Sequence, residues 1–158
     1  MASSREYPER PLVGVGGVVI DQGRALLIRR ASEPLRGEWS IPGGMLELGE
    51  TLEEGVAREL LEETGLHVRV LELIEVFERI VYAEKISGAT DARAKPRYHY
   101  VIADYLCERI SGDHAAASDV TALEFANEDE LSRFHLTETA LRILHKAFTM
   151  ERGRGETK

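Results

Sequence analysis

The sequence predicts an α/β fold in which strands surround one acidic helix and a second helix ends the chain. Short segments of alternating apolar and polar residues, bounded by turn residues, are typical of strands. A capped segment near the middle of the chain and another near its end repeat their apolar residues at helical spacing. We therefore expect one α/β unit with strands before, between and after the two helical segments.

The chain opens with a predicted hairpin of two strands. Residues 13–20 read VGVGGVVI, a strand pattern interrupted by three glycines. Glycine inside a strand marks a position where another group comes close to the backbone. Residues 21–24 are expected to form the turn, and residues 25–30 the return strand, which ends at Arg29 and Arg30.

The central helix is predicted to begin at Thr51 and to end at Gly65. Thr51 and Glu54, three residues later, form a capping box. Gly65 suits the left-handed conformation that ends a helix. An apolar stripe between the two ends seats the helix on a core. The stripe consists of Leu52, Val56, Ala57, Leu60 and Leu61.

Alternation resumes after the helix. Residues 67–83 predict one long strand or two strands with a bend. Residues 84–96 are polar and contain Gly and Pro, so we expect a long loop beside the active site or at a subunit contact. Residues 98–106, YHYVIADYL, are apolar enough to form a central strand.

The end of the chain predicts one short strand and two helical segments. The strand covers residues 120–125. Asn127 is expected to cap a brief helix, and Thr137 to cap a terminal helix that runs to about residue 150. The tail beyond that residue is expected to fray.

Three carboxylates of the central helix converge on one small volume. Glu59, Glu62 and Glu63 are three or four residues apart, or adjacent, and share a helix face. Like charges at this spacing repel each other and destabilise a helix. A bound hard cation would offset that repulsion and explain why the three carboxylates lie together. Mg²⁺ and Mn²⁺ prefer carboxylate oxygens. The alternative is a solvated acidic face, and the three glutamates alone leave both readings open.

The segment from Gly44 to Leu66 resembles the signature motif of the Nudix hydrolases. It runs Gly44, five residues, Glu50, seven residues, Arg58-Glu59-Leu60, one residue, Glu62-Glu63, one residue, Gly65-Leu66. Every specified position of that motif is matched. With the elements above, the resemblance implies the Nudix α/β/α sandwich with a mixed central sheet.

The resemblance implies Mg²⁺-dependent hydrolysis of a pyrophosphate bond, with Mn²⁺ as a substitute. Glu59, Glu62 and Glu63 would be metal ligands, joined by the carbonyl of Gly43. Metal ions shield the charge of the pyrophosphate and lower the pKa of a bound water. Glu62, Glu63 and Asp119 are the catalytic candidates, and Glu124 and Asp113 are lower-ranked alternatives to Asp119. The sequence does not decide which carboxylate activates the water. Glu50 and Arg58 would hold the loop to the helix.

Further residues are candidates for substrate binding. Gly43 and Gly44 allow a ligand close to the backbone. One of Arg29 and Arg30 should point toward the site, because strand side chains alternate, and a guanidinium suits phosphate recognition. A solvated strand end is the alternative. Tyr82 is a candidate because the dinucleoside polyphosphate hydrolases of this family have a tyrosine at about the same distance after the motif. His99 is a further candidate, although a histidine in such a strand is more often a packed residue.

The substrate is expected to be ADP-ribose, cleaved to AMP and ribose 5-phosphate. The segment GEWSIPGG, residues 98–106 and the region of Asp119 look most like the small ADP-ribose pyrophosphatase branch. A proline common in that branch is missing here, and Tyr82 keeps dinucleoside polyphosphate hydrolysis as an alternative. Nucleoside triphosphate hydrolysis is also left open. A third reading is a non-catalytic sensor of nucleotide sugars. Enzymes of the branch are frequently dimers, so the resemblance also implies a homodimer.

Composition limits the other classes of function. The chain has 158 residues and a net charge of −8. Its length suits a single domain, residues 1–158, with a core over about 12–148. A negative chain is a poor partner for nucleic acid or for an anionic membrane. We expect a small-molecule nucleotide as the partner.

The cysteine count and the apolar segments bear on location. Cys107 is the only cysteine, so an intramolecular disulfide is impossible and a reducing compartment is expected. It lies in an apolar run and should be a small buried residue. No apolar segment approaches the roughly 20 residues that span a bilayer, and the first residues lack the core of a signal peptide. A cytoplasmic location follows as the expectation.

Overall fold

The computed structural model describes residues 5–31, 35–82, 95–115 and 120–156. Within these ranges the strands are β1 (Leu12–Asp21), β2 (Arg24–Arg30), β3 (Trp39–Ser40), β4 (Gly43–Met45), β5 (His67–Tyr82), β6 (Pro96–Ser111) and β7 (Val120–Ala126). The helices are α1 (Leu52–Thr64) and α2 (Glu138–Glu156), and a 3-10 helix covers Glu128–Phe134. The predicted α/β class is confirmed.

The strands form a mixed sheet in which β1 and β6 are central. These two strands pair in parallel, from Leu12 opposite Tyr100 to Val19 opposite Cys107. The other neighbours are antiparallel: β2 and β4 pair with β1, β3 and β7 pair with β2, and β5 pairs with β6. The predicted central position of β6 is confirmed, and β5 lies at an edge.

Local signals set both ends of α1. The Thr51 hydroxyl accepts a hydrogen bond from the Glu54 amide, and the Glu54 carboxylate accepts one from the Thr51 amide. Gly65 takes the left-handed conformation, with φ of 76°, and its amide donates to the Leu61 carbonyl. The predicted capping box and glycine end are therefore confirmed. Both could be predicted because they depend only on neighbouring residues.

Helices cover both faces of the sheet. Val56 and Leu60 of α1 pack with Val15 and Val19 of β1 in one core cluster. The intervening side chains of β1, such as Val18, pack in a second cluster with Ile143, Leu144 and Ala147 of α2. Since successive strand side chains point to opposite faces, the two clusters lie on opposite sides of the sheet. The predicted α/β/α sandwich is confirmed.

Two expectations about the later elements are corrected, the Asn127 cap and the frayed tail. The segment after Asn127 is a 3-10 helix, and the Asn127 side chain donates to the Glu130 carboxylate at 2.8 Å instead of capping the helix. Thr137 does cap α2, by accepting from the Ala140 amide at 3.1 Å. However, α2 continues to Glu156, so residues 151–156 are helical instead of frayed. The predicted loop at 84–96 falls almost wholly outside the described residues.

Burial agrees with the reading of Cys107. Its side chain is 1% exposed, and burial raises the pKa of the thiol to about 12. A thiol held in its protonated form is a poor nucleophile. None of the described helices is long and apolar enough to cross a membrane.

Candidate active site

Arg58 of α1 joins the helix to the loop that precedes it. Its Nε and Nη2 donate to the two Glu50 carboxylate oxygens at 2.9 and 2.6 Å. Nη2 also donates to the Met45 carbonyl at 2.9 Å. The hydrogen bonds from Arg58 and from the Glu47 amide lower the pKa of Glu50 to about 2, so Glu50 is ionised at neutral pH. The pairing of loop and helix through Glu50 and Arg58 therefore exists in the structure.

The same guanidinium orders two of the three helix carboxylates. Arg58 Nη1 donates to Glu59 at 2.9 Å and to Glu62 at 3.2 Å. The Glu59 side chain is 13% exposed, whereas that of Glu62 is 54% exposed. Burial raises the pKa of Glu59, and the bond from Arg58 opposes the shift. Arg58 thus offsets the mutual repulsion that the sequence predicts for these side chains.

Glu63, the third carboxylate, faces the glycine segment. The Gly43 amide donates to Glu63 Oε2 at 3.1 Å, and Glu63 is 8% exposed. A Cβ atom on Gly44 would lie 2.5 Å from the Glu59 carboxylate. Glycine at 43 and 44 therefore lets β4 lie directly against the acidic face of α1.

Replacing Gly43 with alanine is expected to lower the free energy of unfolding by about 1–3 kcal/mol, as other overpacked sites do. The new Cβ atom would lie 2.2 Å from the Val15 carbonyl oxygen, which is backbone and cannot rotate away. Urea unfolding of the variant measures the effect. Gly153→Ala is the control, because a Cβ at Gly153 meets nothing within 4 Å and alanine suits a helix interior. A Gly43→Ala midpoint equal to that of the unmodified chain would contradict this packing.

The donor set at the acidic face fits a hard divalent cation. Glu59, Glu62 and Glu63 supply only oxygen atoms, which Mg²⁺ and Mn²⁺ prefer. Two of them are largely buried, and a buried carboxylate calls for a positive partner. In the described part of the chain no three acidic, histidine or cysteine side chains already stand in a metal-binding arrangement. Arg58 Nη1 instead bridges Glu59 and Glu62.

A cleft lies beside β4, with a volume of about 840 Å³ that includes space open to solvent. Gly43 and Gly44 line it, so the segment that contacts the acidic helix also borders the cleft. Side chains of β5 and β6 on the α2 face of the sheet form its floor, among them Phe77, Ile102 and Asp104. Clefts of this size, apolar with a few polar groups, are typical of ligand sites.

Cationic and aromatic side chains surround this cleft. Arg30 of β2 and Arg79 of β5 line it, together with Arg5. Burial lowers the pKa of Arg79, and the nearby charge of Arg30 adds to the shift. Trp39 borders the cleft and packs edge-on against Phe134 at 5.2 Å between ring centroids. The cleft therefore joins positive charge to flat apolar surface.

The structure brings some of the predicted site residues to the cleft and not others. Of the two arginines, Arg30 lines the cleft, while Arg29 is exposed and donates to the Gly37 carbonyl at 3.0 Å. Tyr82 is 57% exposed at the end of β5 and does not line the cleft. His99 lies on the sheet face opposite to Tyr100, away from the cleft.

The acidic candidates near the end of the chain that the structure describes, Glu124 and Asp113, do not line the cleft. Asp119 lies outside the described residues. Glu124 is exposed and forms an ion pair with Arg133 at 3.5 Å. Asp113 is exposed and does not line the cleft.

Sequence reasoning missed four cleft residues: Phe77, Arg79, Tyr100 and Asp104. Asp104 had a usable signal, because an acidic residue inside the apolar run YHYVIADYL is unusual. Arg79 had a similar signal in the sequence, because it is a charged residue within a strand of alternating pattern. Phe77 and Tyr100 looked like ordinary strand residues.

Comparison with known proteins agrees with the fold and identifies the family. Residues 10–147 match the family described as "NUDIX domain". The chain is 36% identical over 147 residues to a MutT-like protein of Streptomyces ambofaciens, a match covering 91% of this chain and 83% of that protein. It is 32% identical over 123 residues to an ADP-ribose pyrophosphatase of Methanocaldococcus jannaschii, covering 78% of this chain and 66% of that protein.

A solved structure extends the comparison to the fold. The MutT NUDIX hydrolase of Burkholderia pseudomallei superimposes with a TM-score of 0.71 at 30% identity, covering 87% of this chain and 98% of that chain. Enzymes of this family generally use a divalent metal ion. The chain therefore belongs to the NUDIX domain family and is a pyrophosphohydrolase that acts on small-molecule nucleotide derivatives.

Proposed function

We propose that the protein hydrolyses ADP-ribose to AMP and ribose 5-phosphate with Mg²⁺, for which Mn²⁺ can substitute. The observation that carries this is the position of Gly43 and Gly44. They contact Glu63 and Glu59 of the acidic helix and also line the cleft that holds Arg30 and Arg79. A diphosphate bridge in the cleft would lie between carboxylates and guanidinium groups.

Each group in this arrangement has a distinct role. Glu59, Glu62, Glu63 and the Gly43 carbonyl would hold the metal ion. A divalent ion bound there shields the charge of the diphosphate and lowers the pKa of a bound water. Glu62, Glu63 or Asp119 would accept the proton of the attacking water, and Glu50 with Arg58 would position the helix.

The cleft suits the rest of the substrate. Arg30 and Arg79 would bind phosphate oxygens, because a guanidinium offers paired donors in one plane. Trp39 and Phe77 offer rings for the base. Gly43 and Gly44 would leave room for the diphosphate beside the backbone. Tyr82, His99 and Arg29 lie away from the cleft, so we assign them no role in this reaction.

The choice of ADP-ribose is supported by the Methanocaldococcus relative, whose name states that substrate. Nucleoside triphosphate hydrolysis stays an alternative for the substrate panel. The alternative of dinucleoside polyphosphate hydrolysis rested on Tyr82. That side chain is exposed at the far end of β5 and gives this alternative no support. A sensor that binds without hydrolysis would need the same cleft but no turnover.

A substrate panel tests the proposed function. Purified protein with Mg²⁺ is incubated with ADP-ribose, a dinucleoside polyphosphate, a nucleoside triphosphate and a nucleoside diphosphate sugar, and the products are separated by chromatography. We expect the highest kcat/KM for ADP-ribose, with AMP and ribose 5-phosphate in equal amounts. A higher kcat/KM for another member would overturn the substrate. Tight binding without turnover of any member would overturn the enzyme.

We also propose a homodimer and a cytoplasmic location. The edge strand β5 supports the dimer, because its apolar side chains Leu73, Val76, Ile80 and Tyr82 are each roughly half exposed. Exposed apolar residues on an edge strand are typical of a contact with another chain. The single buried cysteine agrees with a reducing compartment. The net charge of −8 supports the proposal that the protein binds neither nucleic acid nor membranes.

A further inference from the structure

Asp104 is a buried acidic residue in the cleft that the reaction above does not use. It is 4% exposed, and β6 places it opposite Gly16 of β1. A Cβ atom on Gly16 would lie 2.3 Å from Asp104 Oδ1 and 3.1 Å from the Pro42 carbonyl oxygen. Gly16 thus lets the Asp104 carboxylate lie low on the sheet, at the base of the cleft.

No hydrogen bond from a described residue reaches this carboxylate. Arg79 acts on Asp104 through its charge, without a hydrogen bond or a close ion pair in the described ranges. Burial raises the pKa of Asp104 to about 7, and Arg79 only opposes the shift. A buried carboxylate without partners is costly, so a protein usually retains one where a ligand completes its hydrogen bonds.

Two more polar groups in the same cleft lack partners. The Tyr100 hydroxyl and the Ser40 hydroxyl are buried and make no hydrogen bond with any described residue. Both residues line the cleft beside Asp104. Two unsatisfied hydroxyl groups beside a carboxylate that receives no hydrogen bond from a described residue indicate a site that binds the polar atoms of another molecule.

We propose that Asp104 is a specificity-determining residue that accepts a hydrogen bond from the nucleoside part of the substrate. The inference rests on the proposed function, because it takes a nucleotide as the ligand. The charge of Arg79 favours the ionised form of Asp104. An ionised carboxylate only accepts, so its partner is an N–H or O–H group. In an adenosine nucleotide these are the amino group of the base and the two ribose hydroxyls.

The acidic helix does not provide this recognition. Glu59 and Glu63 contact β4 from the α1 side, whereas Asp104 shares a sheet face with Tyr100 and Ile102 on the α2 side. Asp104 is therefore placed to bind a different part of the substrate from the part that the helix glutamates bind. Its loss should weaken binding more than it slows the chemical step.

The test measures binding of AMP, which needs no turnover, by calorimetry with the unmodified protein and Asp104→Asn. Asparagine keeps the shape but replaces one acceptor oxygen with a donor. We expect the Kd for AMP to rise at least about tenfold, as for loss of a hydrogen bond to a charged group. The control is Asp129→Asn, which removes the same charge from an exposed position outside the cleft.

Analogues of AMP identify the donor. The 2′-deoxy and 3′-deoxy forms each remove one ribose hydroxyl, and IMP replaces the amino group with a carbonyl. The analogue that lacks the donor should bind the unmodified protein at least about tenfold less tightly than AMP, and the Asp104→Asn variant no less tightly than AMP. Unchanged AMP binding in Asp104→Asn, or equal discrimination in both proteins, would overturn the proposal.

Kinetics separate this role from catalysis. With the substrate that the panel identifies, Asp104→Asn should raise KM at least about tenfold and leave kcat within about threefold. A lower kcat at unchanged KM would overturn the specificity role. If the panel shows no turnover but these binding differences hold, the proposed function fails and the role of Asp104 stands.

Discussion

Replacing Glu63 with glutamine is expected to lower kcat by at least about a hundredfold, since a carboxylate that holds a metal ion contributes charge stabilisation of that size. Glutamine preserves the shape and can still accept the hydrogen bond from the Gly43 amide, so the substitution removes the charge and keeps this contact. The same loss is expected for Glu62→Gln, although Glu62 is far more exposed. Steady-state kinetics with the preferred substrate of the panel measure both variants.

The matched control for these variants is Glu53→Gln on the same helix. Glu53 is exposed in the first turn of α1 and lies outside the acidic face. Its variant removes an equal charge and should retain kcat within about twofold, because it loses only a weak interaction with the helix dipole. Circular dichroism and urea unfolding establish that all three variants keep the fold. Near-normal turnover of Glu62→Gln or Glu63→Gln would contradict its assignment as a metal ligand.

Removing divalent metal with a chelator is expected to abolish measurable turnover, and Mg²⁺ or Mn²⁺ to restore it. The protein carries a net charge of −8, its site concentrates three carboxylates, and the substrate is a polyanion. Without a cation these charges repel at short distance in a partly buried site, where water screens them weakly. Turnover that persists in excess chelator would contradict the role of metal.

A binding measurement distinguishes a resident metal from a general effect of salt. A ligand that binds only the native state stabilises it by about 2.7 kcal/mol at a concentration one hundred times its Kd. Mg²⁺ should therefore raise the melting temperature of the unmodified protein, while potassium chloride of equal ionic strength should not. The double variant Glu62→Gln, Glu63→Gln should lose this increase. An equal increase in both proteins would place the ion elsewhere.

Arg30 and Tyr100 illustrate what strand periodicity can and cannot predict. Alternation predicts that one of Arg29 and Arg30 points toward the site, but it cannot say which one. The pairing of β2 with β3 and β7 decides it, and Arg30 lines the cleft. Likewise His99 and Tyr100 are neighbours in the chain, yet only Tyr100 faces the cleft. The face that a strand turns to the site is a property of the assembled sheet.

The sequence by itself determined the elements whose causes are local. The capping box at Thr51, the glycine end at Gly65 and the spacing of the three glutamates all lie within one helix, where neighbouring residues set the geometry. The residues alone could not show the bond between Arg58 and Glu50, eight residues apart, which only the family resemblance implied. The family motif occurs in this same segment, and for that reason the chemistry could be predicted with the fold.

Only the tertiary structure decided which residues line the cleft beside the acidic helix. Asp104 lies over Gly16 because β1 and β6 pair in parallel, although 88 positions separate them along the chain (104 − 16). Phe77 and Arg79 reach the same cleft through the register of β5 against β6. Contacts of this kind leave no periodic signal in the sequence, because they depend on strand pairing that forms only when distant segments pack together.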